Sequence, residues 1–161
     1  MRNILVLVTL FALLLSCGST DVGNANSAEY QQMLEQVKDL EFEIENQWAN
    51  PTKYGRVNLI GNPNHIKFEN DSVDIFLPFV GERHAGGGYG GEAAIKYEGI
   101  PQDLKIEERP GKNQAVITFK GNHKGEYMDF RIAVFQNGNT STSVTSSQRD
   151  QIDYDGKIVR E

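Results

Sequence analysis

Apolar and polar residues fall along this chain in three regimes, and each predicts a different element. From Ile4 to Leu15 the chain is apolar apart from Thr9. From Tyr30 to Val37 the apolar residues Tyr30, Met33, Leu34 and Val37 recur at i, i+3, i+4 and i+7, which is one face of a helix. Asn26 or Ser27 is placed to cap it, and the pattern ends near Lys38 or Asp39. The period then changes to two. Leu40, Phe42 and Ile44 alternate with Glu41, Glu43 and Glu45, predicting a strand whose carboxylates face water, closed by Asn50-Pro51.

The alternation continues to the end of the chain. Val57 and Leu59 mark one strand, and Ile66 and Phe68 mark the next after a turn at Gly61-Asn62-Pro63-Asn64. Asn70-Asp71 predicts a two-residue hairpin turn into Val73, Ile75, Leu77 and Phe79. A glycine-rich loop, Gly81 to Gly91, separates these from Ala93, Ile95 and Tyr97, followed by Leu104 and Ile106, then Ala115, Ile117 and Phe119. Gly121 to Gly125 reads as a loop before Met128, Phe130, Ile132 and Val134. Asn137-Gly138-Asn139 is a hairpin signal. The strand after it, Thr140 to Ser147, is almost all serine and threonine, with Val144 its one large apolar residue. Ile152, Tyr154 and Ile158 finish the chain around a turn at Asp155-Gly156. The expectation is a mainly β protein, an antiparallel meander of about nine strands closing as a barrel or sandwich. The single N-terminal helix packs on one side or plugs an open end.

The first regime changes the picture from a plain β-domain to an exported one. Its twelve residues fall short of the roughly 20 that span a bilayer. They follow the basic start Met1-Arg2-Asn3 and run into Leu14-Leu15-Ser16-Cys17. That is the form of a secretory leader, and it looks like a bacterial lipobox, at which the leader is cut and the cysteine acylated. Residues 1–16 are therefore read as a lipoprotein signal peptide, and 17–26 as the acylated Cys17 with a flexible tether of small polar residues. Residues 27–161 are read as one helix-plus-β domain. Each buried methylene contributes about 0.8 kcal/mol and a single acyl chain holds only marginally. The two or three chains of the lipoproteins it resembles would hold permanently. Gly18 after the cysteine favours the outer membrane by analogy with enteric sorting, and the single nearby acid, Asp21, favours its periplasm-facing side.

Without the leader the chain carries 15 basic and 22 acidic side chains, a net of -7. This argues against nucleic acid, which wants a basic patch, and against loose electrostatic attachment to anionic lipid. With Cys17 spent on lipid no other thiol remains for a disulfide, ligand or nucleophile.

Chemistry-bearing patterns are sparse. Gly86, Gly88 and Gly91 formally make a GxGxxG, but the segment after it reads as a strand, whereas a dinucleotide site needs a helix there. The functional reading of the glycine-rich loop is a binding lip, with Arg83 and His84 supplying polar contacts and Tyr89 an aromatic face. His65, His84 and His123 fit no zinc spacing, so no metal site and no cofactor is expected. There is no GxSxG, and Glu41, Glu43 and Glu45 read as solvated charges on one strand face. Asp71-Ser72-Val73 resembles a short O-glycosylation signal that would put a glycan at Ser72.

Several stretches together resemble domain-of-unknown-function family 4251, whose members look like lipoproteins of Bacteroidetes. They are Leu77-Pro78-Phe79-Val80-Gly81-Glu82-Arg83, the loop after it, and Ala94-Ile95-Lys96-Tyr97-Glu98-Gly99. Phe42-Glu43-Ile44 to Ala49-Asn50-Pro51, Phe135-Gln136-Asn137-Gly138 and Ile152-Asp153-Tyr154-Asp155-Gly156 also fit. Phe79 stands where the family usually has tyrosine. The resemblance spans roughly residues 30 to 160 and implies a location and a fold, but no activity.

The expected function is therefore a lipid-anchored, non-enzymatic binding or structural module of the cell envelope. Its partner would be an envelope protein, a glycan or a small ligand. The alternatives are a small-ligand carrier with a lipocalin-like cavity, and an envelope hydrolase. A core packed solid by Phe68, Phe79, Phe119 and Phe130 would count against the carrier.

Overall fold

The computed structural model describes residues 27–85 and 93–159. The leader, Cys17, the tether up to residue 26, and Tyr89 with Gly86, Gly88 and Gly91 lie outside the described residues. Helix α1, Ala28–Asp39, begins where Ser27 accepts a hydrogen bond from the Tyr30 N–H at 3.2 Å. It buries Tyr30, Met33, Leu34 and Val37, the face that the spacing predicts. Leu40, expected at the head of the first strand, instead ends the helix in the left-handed conformation at φ 51°. The strand starts two residues later.

Among the described residues ten strands follow: β1 Phe42–Pro51, β2 Val57–Asn58, β3 His65–Glu69, β4 Ser72–Pro78, β5 Ala94–Gly99, β6 Gln102–Arg109, β7 Gln114–His123, β8 Glu126–Phe135, β9 Asn139–Ser146 and β10 Ile152–Ile158. They form one antiparallel sheet in the order β5-β4-β3-β1-β10-β9-β8-β7-β6, with β2 a short annex to β1. The two end strands, β5 and β6, are joined by Ile100 and Pro101 alone. So short a link between opposite edges requires the sheet to roll up on itself, and it does so as a curled half-barrel. Across the seam the Tyr97 ring of β5 lies against Gly121 of β7, where a Cβ would come within 2.8 Å of it. Helix α1 packs onto β7 and β8 inside this curve.

Inward-facing residues fill the interior. Phe42 and Phe68 lie 5.0 Å apart, Phe68 meets Phe119 edge-on at 5.8 Å, and Phe119 stacks on Phe130 at 4.8 Å. Offset and edge-to-face pairs of this kind add to the burial term. Three of the four phenylalanines expected in the core are there. Phe79 is half-buried at the rim, under Arg149.

Two expected turns are strand. Gly121 to His123 continues β7, and the reversal is the pair Lys124-Gly125, both at positive φ, as a tight primed hairpin requires. Asp155-Gly156 lies within β10. Gly156 is there for close approach, since a Cβ would sit 2.6 Å from the Glu45 carbonyl oxygen. It faces the bulge in β1 between Asn46 and Trp48. The hairpin at Asn70-Asp71 has both residues at positive φ, as its sequence predicts.

Candidate functional site

Register gives the half-barrel two ends. Phe42, Phe68, Ile158 and Gly138 lie at the end where α1 sits, and line a cleft of about 940 Å³ with Glu29, Met33 and Gln36 of the helix. Pro51, Pro78, Glu126, Ser146 and Ile152 lie at the other. The segment 79–85, which leaves β4, crosses this second end as an arm.

Backbone hydrogen bonds dock the arm on the β9–β10 connection. The Asp150 N–H donates to the Glu82 carbonyl at 3.0 Å, and the His84 N–H donates to the Gln148 carbonyl at 2.7 Å. Arg83 and Arg149 form an isolated antiparallel bridge between them. The arm's root is held by the Tyr154 hydroxyl, which donates to the Pro78 carbonyl at 2.9 Å. Burial pushes that phenol's pKa far up, so it stays a donor.

Beneath the arm is a buried charge cluster. Arg149 makes a bidentate pair with Glu126, at 2.7 and 2.8 Å, and donates a third bond to the Ala94 carbonyl at 3.0 Å. Arg83 approaches the same carboxylate at 3.6 Å. Both side chains of the Arg149–Glu126 pair are buried, so the fork geometry offsets a large desolvation cost. Burial by itself raises the Glu126 pKa, but the hydrogen bonds from Arg149 and Ser146 outweigh it and hold the carboxyl below the usual range.

On the outside of the arm lies a second, wetter cluster. His84 Nε2 is 2.7 Å from Asp150 Oδ1. Lys53 Nζ is 2.7 Å from Glu82 Oε2 and 3.3 Å from Asp150 Oδ2. Asp150 Oδ2 also accepts the Glu82 N–H at 3.3 Å. Partial burial pushes the Asp150 pKa up, while His84, the Glu82 amide and Lys53 together bring it below the ordinary value.

Of the residues singled out in sequence, Arg83 and His84 therefore sit side by side on the arm, one facing the buried pair and one the outer cluster. Glu82, Lys53, Glu126, Arg149 and Asp150 complete the site and were not legible beforehand. His65 pairs with Asp74 on neighbouring strands at 3.0 Å. Ser72 opens β4, its hydroxyl donating to the Glu69 carbonyl at 2.7 Å. Ser141 and Ser143 lie on β9 between the inward-facing Thr140, Thr142 and Val144.

A second cleft, of about 780 Å³, runs over the outer face of β1, β9 and β10. Trp48 lines it with the Arg56 guanidinium 4.3 Å above its ring, and Arg56 is held by Asp155 at 2.9 Å.

The model of the family described as a domain of unknown function, DUF4251, matches residues 24–158. The fold is similar to that in the crystal structure of a DUF4251 family protein from Bacteroides eggerthii. That likeness has a TM-score of 0.60 at 12% identity, over 84% of this chain and 89% of that one. No curated protein matches the chain.

Proposed function

The chain belongs to the DUF4251 family, and from its leader and its two-ended fold we propose that it is a lipid-anchored, non-enzymatic binding module of the bacterial cell envelope. Acyl chains on Cys17 hold it to the outer membrane, facing the periplasm, and the arm end meets the partner, an envelope protein, glycan or small ligand. The observation that carries this reading is the polarity of the molecule. The tether joins the chain at α1, on one end of the half-barrel, and the arm with Arg83 and His84 crosses the opposite end. A protein held at one end offers the other to solvent. The aromatic stack through Phe42, Phe68, Phe119 and Phe130 occupies the space in which a lipocalin-like carrier would hold its ligand.

The anchor is tested by expressing the full chain and its Cys17→Ser variant in a bacterial host with labelled palmitate. The parent is expected to take up label and sediment with membranes, and the variant to do neither. Equal labelling and sedimentation of the two would overturn the anchor.

A further inference from the structure

The outer cluster on the arm has a composition that salt bridging alone does not require. Glu82, His84 and Asp150 each offer a ligand atom, and these atoms lie within 4.8 Å of one another. One imidazole nitrogen with two carboxylate oxygens is a donor set suited to first-row divalent ions, zinc in particular. The donors come from two chain segments, with His84 and Asp150 66 residues apart, and three hydrogen bonds fix how those segments meet: Asp150 N–H to the Glu82 carbonyl, His84 N–H to the Gln148 carbonyl, and Glu82 N–H to the Asp150 carboxylate. The backbone is thus set before any ion arrives. Glu82 and His84 are about half-exposed, which leaves room around them for the small adjustment that bonds of roughly 2.0–2.2 Å demand.

A cation already sits at these carboxylates. The Lys53 ammonium lies 2.7 Å from one and 3.3 Å from the other. It occupies the space between Glu82 and Asp150 that a metal would share, and its stem is half-exposed and able to swing out. A compact ammonium and a divalent ion therefore compete for one pair of anions. His84 distinguishes them, because with its proton carried on Nδ1 its Nε2 can coordinate a metal, a stronger bond than the hydrogen bond it could accept from an ammonium.

We propose that Glu82, His84 and Asp150 form a binding site for a divalent transition ion, with zinc the favoured occupant and Lys53 its built-in competitor. Three protein ligands leave at least one coordination position for water or for a donor from the partner. An ion there would clasp the arm to the β9–β10 connection, with the arm's last ligand, His84, two residues ahead of Gly86 in sequence. This deepens the reading of the arm as the contact region, and does not depend on the lipid anchor.

The test is calorimetric titration of the full chain, purified in detergent, with zinc chloride. One saturable site per chain is expected. Substituting a direct ligand should cost at least the roughly tenfold that losing a supporting group costs, so H84A and, independently, E82Q should each weaken binding tenfold or more. K53M should tighten it, since the competitor is gone. H65A, which removes the His65–Asp74 pair on β3 and β4, should leave it unchanged. Circular dichroism of each variant checks that the fold persists. Absence of saturable zinc binding in the parent would overturn the proposal, as would binding that H84A and E82Q leave intact or that K53M weakens. None of those results touches palmitate labelling, so the anchor and the metal site fail separately.

Discussion

At the scale of single residues, Glu126 and Arg149 matter most to the site's stability. Each is about 95% buried, and each satisfies the other's charge. Removing one partner leaves the other buried and unpaired, which costs about 3–5 kcal/mol. Glu126→Gln is expected to lower stability by that amount in urea denaturation at neutral pH. The sign of the pH dependence follows from the lowered carboxyl pKa. A group whose pKa is lower folded than unfolded contributes stability above its unfolded value, near 4.3 for glutamate, and loses it as pH falls through the folded value. The parent should therefore lose stability below about pH 4.3 more steeply than Glu126→Gln does. Equal acid slopes would show that the pair does not carry this linkage. Little of this was legible in the sequence. Arg83 and His84 stood out as polar residues beside a glycine run. Arg149-Asp150 is an ordinary polar dipeptide at a turn, and only the crossing of the arm, 66 residues away in sequence from His84 to Asp150, gives it a role.

At the scale of elements, period and turn chemistry were informative wherever local rules decide the outcome. Ser27 and the i, i+3, i+4, i+7 stripe located α1, and Asn70-Asp71 located a hairpin, because caps and primed turns are set by neighbouring residues. Glycine misled where its reason is tertiary. Gly121 and Gly156 look like turn residues in sequence, yet both lie in strands, one under the Tyr97 ring and one under the β1 backbone. Their surroundings predict different costs. Overpacking typically costs about 1–3 kcal/mol. Gly156→Ala should fall at the upper end, since the obstacle is the Glu45 carbonyl. Gly121→Ala should cost less, because the Tyr97 ring can tilt, although its hydroxyl is held by the Ile100 carbonyl at 2.6 Å. Chemical denaturation of both variants checks the order, and the reverse order would contradict this account of the seam.

At the scale of the whole molecule, the meander and its mainly β class followed from strand spacing, but the closure did not. Alternation shows which face of each strand is buried and is silent on which strands are neighbours. That β5 and β6, joined by two residues, stand at opposite edges is a property of the rolled sheet and of no local pattern. The roll also gives the molecule two ends, and the proposed function rests on those ends being unequal. Photocrosslinking in the native envelope tests this most directly, with a photoreactive side chain placed either at the exposed Ala85 of the arm or at the exposed Gln32 of α1. Adducts with a protein or glycan are expected from Ala85 and not from Gln32. Adducts from Gln32 alone, or from both sites equally, would contradict the arm as the contact end.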